Sequence, residues 1–267
     1  MQEWLDAVPI TVLFFGSALV ALAVFECGYR VGRWVQDRTP EEKEGPTAML
    51  VGSLLALQAF LLAIAMGMAS DRFDARRRLV LDEAKALGTT YLRAGYLPEP
   101  ASQEIRELLR EYVPLRIINR ELSVAEFRER LARSTELQTR LWAKAEELAR
   151  NDPQSEVLGL FIASLNDAID LHASRVTVGV YRRVPVTVIL LLLVGSAVTL
   201  GMVGYNAGLT RRRSPLAATV MILVLAAVIT LLIDLDRPRE GLLTINQQPL
   251  IDLAQQIQAV RSNDSGM

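Results

Sequence analysis

Four stretches of the chain carry no charged residue: 7–25, 45–70, 184–210 and 214–233, of 19, 26, 27 and 20 residues. Each meets the roughly 18–20 residues that a helix needs to cross about 30 Å of hydrocarbon. Almost all the charge lies between them, chiefly in residues 71–183. This segregation predicts an all-α chain with four transmembrane helices and a long helical soluble insertion between the second and third spans. Four segments follow: the first two spans in 1–70, a charged helical domain in 71–183, the last two spans in 184–235, and an amphipathic helix with a tail in 236–267.

The second span is the one that shapes the rest. It ends in Asp71-Arg72-Phe73-Asp74-Ala75-Arg76-Arg77-Arg78 with no Gly or Pro at the junction, and helical periodicity carries on into Leu79, Val80, Leu81 and Ala84. One long helix leaving a membrane for water is the simplest reading. At 100° per residue Gly52, Ala56, Ala59, Ala63 and Gly67 share one side, with Leu57, Leu61, Ile64 and Met68 beside them and Phe60 between. Small residues let helix backbones approach closely in lipid, where no hydrophobic force drives association. Gln58 lies across from both stripes and needs a polar partner on another helix.

The first span is expected from Pro9 to Cys27, with Gly28-Tyr29-Arg30-Val31-Gly32 as its interfacial end and 33–46 as a polar connector. Gly28 and Gly32 have the spacing for close helix contact, but so near the end the plainer reading is that they mark where the helix stops. Within 71–183 the periodicity predicts helices over about 71–95, 101–122, 123–150 and 154 onward. Pro98 and Pro100 stop the first, Pro114 is expected to kink the second, and Ser123 with Glu126 forms a capping box for the third. The alternating charges, among them Glu104, Glu107, Glu111, Arg106, Arg110 and Arg116, read mostly as a solvated face. In the third span Ala197, Gly201, Gly204 and Gly208 form another small packing face, and Arg211-Arg212-Arg213 make a tight connector. A short helix is expected from Pro249 to about Val260, then a disordered tail, SNDSGM.

Charge and chemistry narrow the function classes. A net charge of −1 gives no global field towards nucleic acid. The acidic start, MQEWLDAV, lacks a basic leader region, so an uncleaved anchor helix is expected over a signal peptide. One histidine and one cysteine argue against a zinc cluster or a thiol nucleophile, and no phosphate loop or hydrolase pattern is present. No enzyme activity and no cofactor or metal site is expected. His172 sits in the apolar stripe of the fourth soluble helix, where a packed histidine is the simpler reading. The remaining chemistry is a charged mouth: Asp71, Arg72, Asp74 and Arg76 leave the second span on the side where Asp234, Asp236 and Arg237 leave the fourth. Paired charges locking helix ends is the favoured reading, and an ion-attracting vestibule is the functional one.

Seven Lys/Arg in the two short connectors place them in the cytoplasm by the positive-inside rule, but ten flank the 71–183 domain and open the carboxyl tail. Orientation stays open on charge alone.

Leu61-Leu62-Ala63-Ile64-Ala65 followed by Asp71-Arg72-Phe73-Asp74-Ala75-Arg76 resembles the bestrophin second transmembrane helix, which runs into an Asp-Arg-Trp-Trp-Glu-Ala-Arg motif; this chain lacks one residue of it and has Phe for the first Trp. The chain is still more similar to the bacterial bestrophin-like family, a domain of unknown function. Glu83-Ala84, the run Gly88 to Ala94, Leu97-Pro98-Glu99-Pro100, Asp236-Arg237-Pro238, Gly241 and Gln248-Pro249-Leu250 carry that likeness over essentially the whole chain. The resemblance implies a homo-oligomer, pentameric if bestrophin-like, in a bacterial inner membrane, passing small anions through a neck of apolar side chains. Phe60, Ile64 and Met68, four residues apart, are the positions for stacked rings. It also implies a cytosolic helical domain; no acidic cluster matches a calcium clasp. The alternative is a non-conducting membrane sensor or scaffold whose helical domain binds a partner.

Overall fold

The computed structural model describes residues 8–39, 44–118, 123–180, 184–211, 214–237 and 243–264. Among them are eight helices and no strand: α1 (Ile10–Arg38), α2 (Glu44–Ala94), α3 (Ala101–Leu115), α4 (Val124–Asn151), α5 (Glu156–Val180), α6 (Val186–Leu209), α7 (Pro215–Asp236) and α8 (Gln248–Asp264). Four of them, α1, α2, α6 and α7, are long and apolar enough to cross a membrane. The chain divides into two compact units, one of residues 1–73 and 183–244, the other of 74–182 and 245–267. Helix α2 belongs to both, and the division falls after Phe73. With 51 residues α2 has a length of about 76 Å along its axis. That is over twice the hydrocarbon thickness of about 30 Å.

In the first unit α1 packs mainly on α6 and also on α7. The contact with α6 is backbone against backbone. A Cβ added at Gly28 would overlap the carbonyl of Gly201, one at Gly32 the carbonyl of Tyr205, one at Gly204 the carbonyl of Phe25, and one at Gly208 the carbonyl of Tyr29. The helix does not stop at Cys27: it runs to Arg38, and at Gly28 and Gly32 it meets the backbone of α6. The expected helix end is therefore corrected, because two glycines met by the backbone of the facing helix, at Gly201 and Tyr205, gain contact that outweighs their low helix propensity. Residues 33–38 are helix as well, which shortens the connector. At the far end Arg211, in the left-handed region at φ 53°, reaches Asp37 with its guanidinium. Arg212 and Arg213 lie outside the described residues. Small apolar clusters fill the rest, Phe25 with Leu200 and Ile222 in one and Ala65 and Ala69 with Val184, Leu192, Leu232 and Leu235 in another.

The second unit is built on large side chains. Val80, Leu87 and Tyr91 of α2, Ile105, Leu109 and Tyr112 of α3, Leu137 and Leu141 of α4, Phe161 and Leu165 of α5, and Leu250 and Ile257 of α8 form one continuous core. Helix α2 stops at Ala94 ahead of Pro98 and Pro100. Ser123 accepts the Glu126 backbone N–H and Glu126 returns to the Ser123 N–H, closing the capping box at the start of α4. Pro114 does not kink a helix that continues: α3 ends at Leu115, and the Arg116 N–H turns back to the Val113 carbonyl. Residues 119–122, where that helix was expected to run on, lie outside the described residues. Helix α8 extends to Asp264, so part of the expected tail is helical.

Candidate functional site

Helix α2 turns a narrow face inward within the first unit. Gln58, Ala65 and Ala69, at steps of seven and four, are buried. Gln58 Nε2 donates to Ser196 Oγ at 2.7 Å and to the Leu192 carbonyl at 3.4 Å, so the polar partner expected on another helix is on α6. The clamp fixes which side of α2 stays open. Gly52, Ala56, Ala59, Ala63 and Gly67 are exposed, and a Cβ added at Gly52 or Gly67 would meet nothing within 4 Å. The small stripe is therefore not a packing face within the protomer; that part is taken by α1 and α6. Phe60 is 62% exposed and Ile64 47% exposed, while Met68 is half-buried.

Asp71 is exposed and Arg72 half-buried at the end of this unit's share of α2; Asp234, Asp236 and Arg237 are buried. Asp236 Oδ1 accepts from the Val184 backbone N–H at 2.8 Å, Asp234 Oδ2 from the Leu243 N–H at 3.0 Å, and an Arg237 terminal nitrogen donates to the Val8 carbonyl at 2.7 Å. These charges thus tie the segments that flank α1, α6 and α7 to the end of α7. Asp74 is exposed and Arg76 buried in the second unit. Arg182 and Arg183 lie outside the described residues.

The second unit holds a buried ionic cluster that the charge pattern did not single out. Glu83 of α2 is fully buried. Its Oε1 accepts from Arg116 Nε at 2.6 Å and its Oε2 from an Arg175 terminal nitrogen at 2.5 Å. The same Arg175 nitrogen also donates to the Arg116 carbonyl at 3.1 Å, and its other one donates to Gln247 Oε1 at 2.7 Å. Beside them Tyr112 OH lies 2.9 Å from His172 Nδ1 and accepts from Gln138 Nε2 at 2.9 Å. Burial, and after it the Arg116 charge, pushes His172 down to about 4, so the ring is neutral at pH 7. Burial raises Tyr112 well above the usual phenol range. Arg116 is accordingly a core residue and not part of the solvated face; Arg106 and Arg110 are half-buried over the Tyr91 ring. A signal for the cluster was present. Glu83 lies three residues after Val80 and four before Leu87, Arg116 three after Val113, and Arg175 three after His172, each a charge in register with an apolar stripe.

A family model described as the bestrophin-like domain matches residues 18–250. Among solved structures, a tryptophan-to-alanine variant of a bacterial bestrophin homologue from Klebsiella pneumoniae aligns with a TM-score of 0.70 at 15% identity, covering 97% of this chain and 99% of that one. A tyrosine-to-alanine variant of the same homologue aligns with a TM-score of 0.68 at 16% identity, covering 95% and 99%. A crystal structure described as a membrane protein aligns at 0.64 and 16%, covering 94% and 96%. Identities this low speak for a shared fold. Comparison with curated proteins gives no match.

Proposed function

We propose, because the chain belongs to the bestrophin-like family over residues 18–250, that this multi-pass membrane protein forms a homo-oligomeric anion channel lined by α2. The open face of α2 carries this reading: in the protomer Phe60 and Ile64 are exposed within its apolar part, beside a stripe of small residues that no other described helix covers. A ring of copies, five if the assembly follows bestrophins, brings such faces together around an axis. Phe60, Ile64 and Met68 then form stacked apolar rings, and an apolar constriction controls flow by dewetting. The charged residues of the first unit, Asp71 and Arg72 with Asp234, Asp236 and Arg237, lie at the mouth, and Asp74 and Arg76 follow Arg72 along α2. The setting is a bacterial inner membrane with the 74–182 unit in the cytosol, and the permeant species are small anions.

The purified protein in planar bilayers is expected to carry chloride current that changes in Ile64→Ala. A folded oligomer that leaves the bilayer silent would overturn the proposal. A stable monomer or dimer by native mass spectrometry would favour the sensor or scaffold reading instead.

A further inference from the structure

We propose that the second unit contains a small-anion site at the terminal guanidinium nitrogens of Arg116, independent of whether the protein conducts. The argument starts from charge balance. Buried ions persist in proteins when they are neutralised and hydrogen-bonded. Glu83 is neutralised twice, by Arg116 and by Arg175, which leaves the buried cluster with one positive charge in excess. Among the described residues the only carboxylate that pairs with Arg116 or Arg175 is that of Glu83, so no second ion pair removes the excess. The carboxyl end of α3, which terminates beside Arg116, offers only the partial charge of a helix dipole, about half an elementary charge.

Hydrogen bonding gives the same answer at atomic detail. Arg175 spends its terminal nitrogens on Glu83, the Arg116 carbonyl and Gln247. Arg116 donates through Nε to Glu83, and its two terminal nitrogens meet no acceptor among the described residues although the side chain is only 4% exposed. Two parallel donors on a fixed guanidinium suit an anion. With the side chain only 4% exposed, the anion proposed is a small one, a halide or nitrate, and not an organic acid. His172, 7% exposed and with Nδ1 engaged by Tyr112, stands next to this charge and reports on it. An anion on Arg116 offsets the field that helps to hold the ring neutral.

The chain has one histidine, so full-length protein labelled with 15N-histidine gives one imidazole to follow. At fixed ionic strength, exchanging gluconate for chloride is expected to move the His172 signal saturably and to raise its titration midpoint. Arg116→Gln is expected to abolish both effects, and it keeps Glu83 neutralised by Arg175. A wild-type signal that is the same in chloride and gluconate overturns the proposal. So does an unchanged chloride response in folded Arg116→Gln, which puts the anion elsewhere. Should that variant fail to fold, bromide-soaked crystals of the wild type decide. An anomalous peak in contact with the Arg116 terminal nitrogens supports the site, and its absence there overturns it.

Discussion

In the unit of residues 1–73 and 183–244 helices meet through their backbones, whereas in the unit of 74–182 and 245–267 they meet through large side chains and one buried ionic cluster. The setting proposed for each region, lipid for the four apolar helices and water for the charged unit, accounts for the contrast. Lipid chains are as apolar as leucine, so pushing leucines together gains little there; close approach at Gly28, Gly32, Gly204 and Gly208 gains dispersion contacts instead. Water rewards burial of Leu, Ile, Phe and Tyr at roughly 25 cal/mol per Å² of apolar surface. That gain lets the second unit carry desolvated ions at its centre. The first unit keeps its buried charges, Asp234, Asp236 and Arg237, at the end of α7 on backbone partners, and between α2 and α6 it uses a neutral pair, Gln58 with Ser196.

If the contrast is right, the largest effect lies in the ionic cluster. Glu83→Gln leaves Arg116 and Arg175 buried beside each other without a carboxylate, and removing one partner of a buried ion pair costs about 3–5 kcal/mol. Thermal or chemical unfolding of the full chain in detergent measures it. A loss well under about 1 kcal/mol, the size of an exposed ion pair, would mean that the cluster is hydrated and the contrast false.

The glycines come next. In Gly204→Ala the new Cβ overlaps the Phe25 carbonyl, which forces α1 and α6 apart, and overpacking of this kind costs about 1–3 kcal/mol. Gly67→Ala adds the same methyl where nothing lies within 4 Å, and helix propensity there favours alanine by up to about 1 kcal/mol. The two variants are expected to move the thermal midpoint in opposite directions. A Gly67→Ala chain that keeps its midpoint but loses its oligomer would sharpen the picture, because the open face of α2 then packs against another copy.

The elements were legible where the pattern was long and unambiguous: the four apolar helices, the stop before Pro98, the cap at Ser123 and the need of Gln58 for a partner all follow from spacing. What escaped was set by tertiary pairing. Gly28 and Gly32 read as a helix end because their partners, Gly201 and Tyr205, lie about 170 residues on. Arg116 read as surface because sequence shows a charge and not the Glu83 that makes its burial possible. The open face of α2 could not be read at all, since two stripes at 100° spacing do not say which of them a neighbour covers.

The last effect is a pH dependence of the second unit, where the one histidine lies. Folded His172 takes a proton near pH 4, lowered first by burial and then by the Arg116 charge, and in the unfolded chain it does so near 6.5. Between those values acid protonates the unfolded chain and not the folded one, so the contribution of His172 is complete above about pH 6.5, falls as pH drops towards 4, and is flat below it. Carboxylates titrate in the same range, so the wild type must be read against His172→Gln, which removes this one group. In gluconate the stability difference between the two chains is expected to shift in favour of the variant as pH falls from 7 to 4. A difference that stays constant across that range would show that water reaches the ring and the cluster beside it, which would also undercut the carboxylate–guanidinium centre packed among large side chains in this unit.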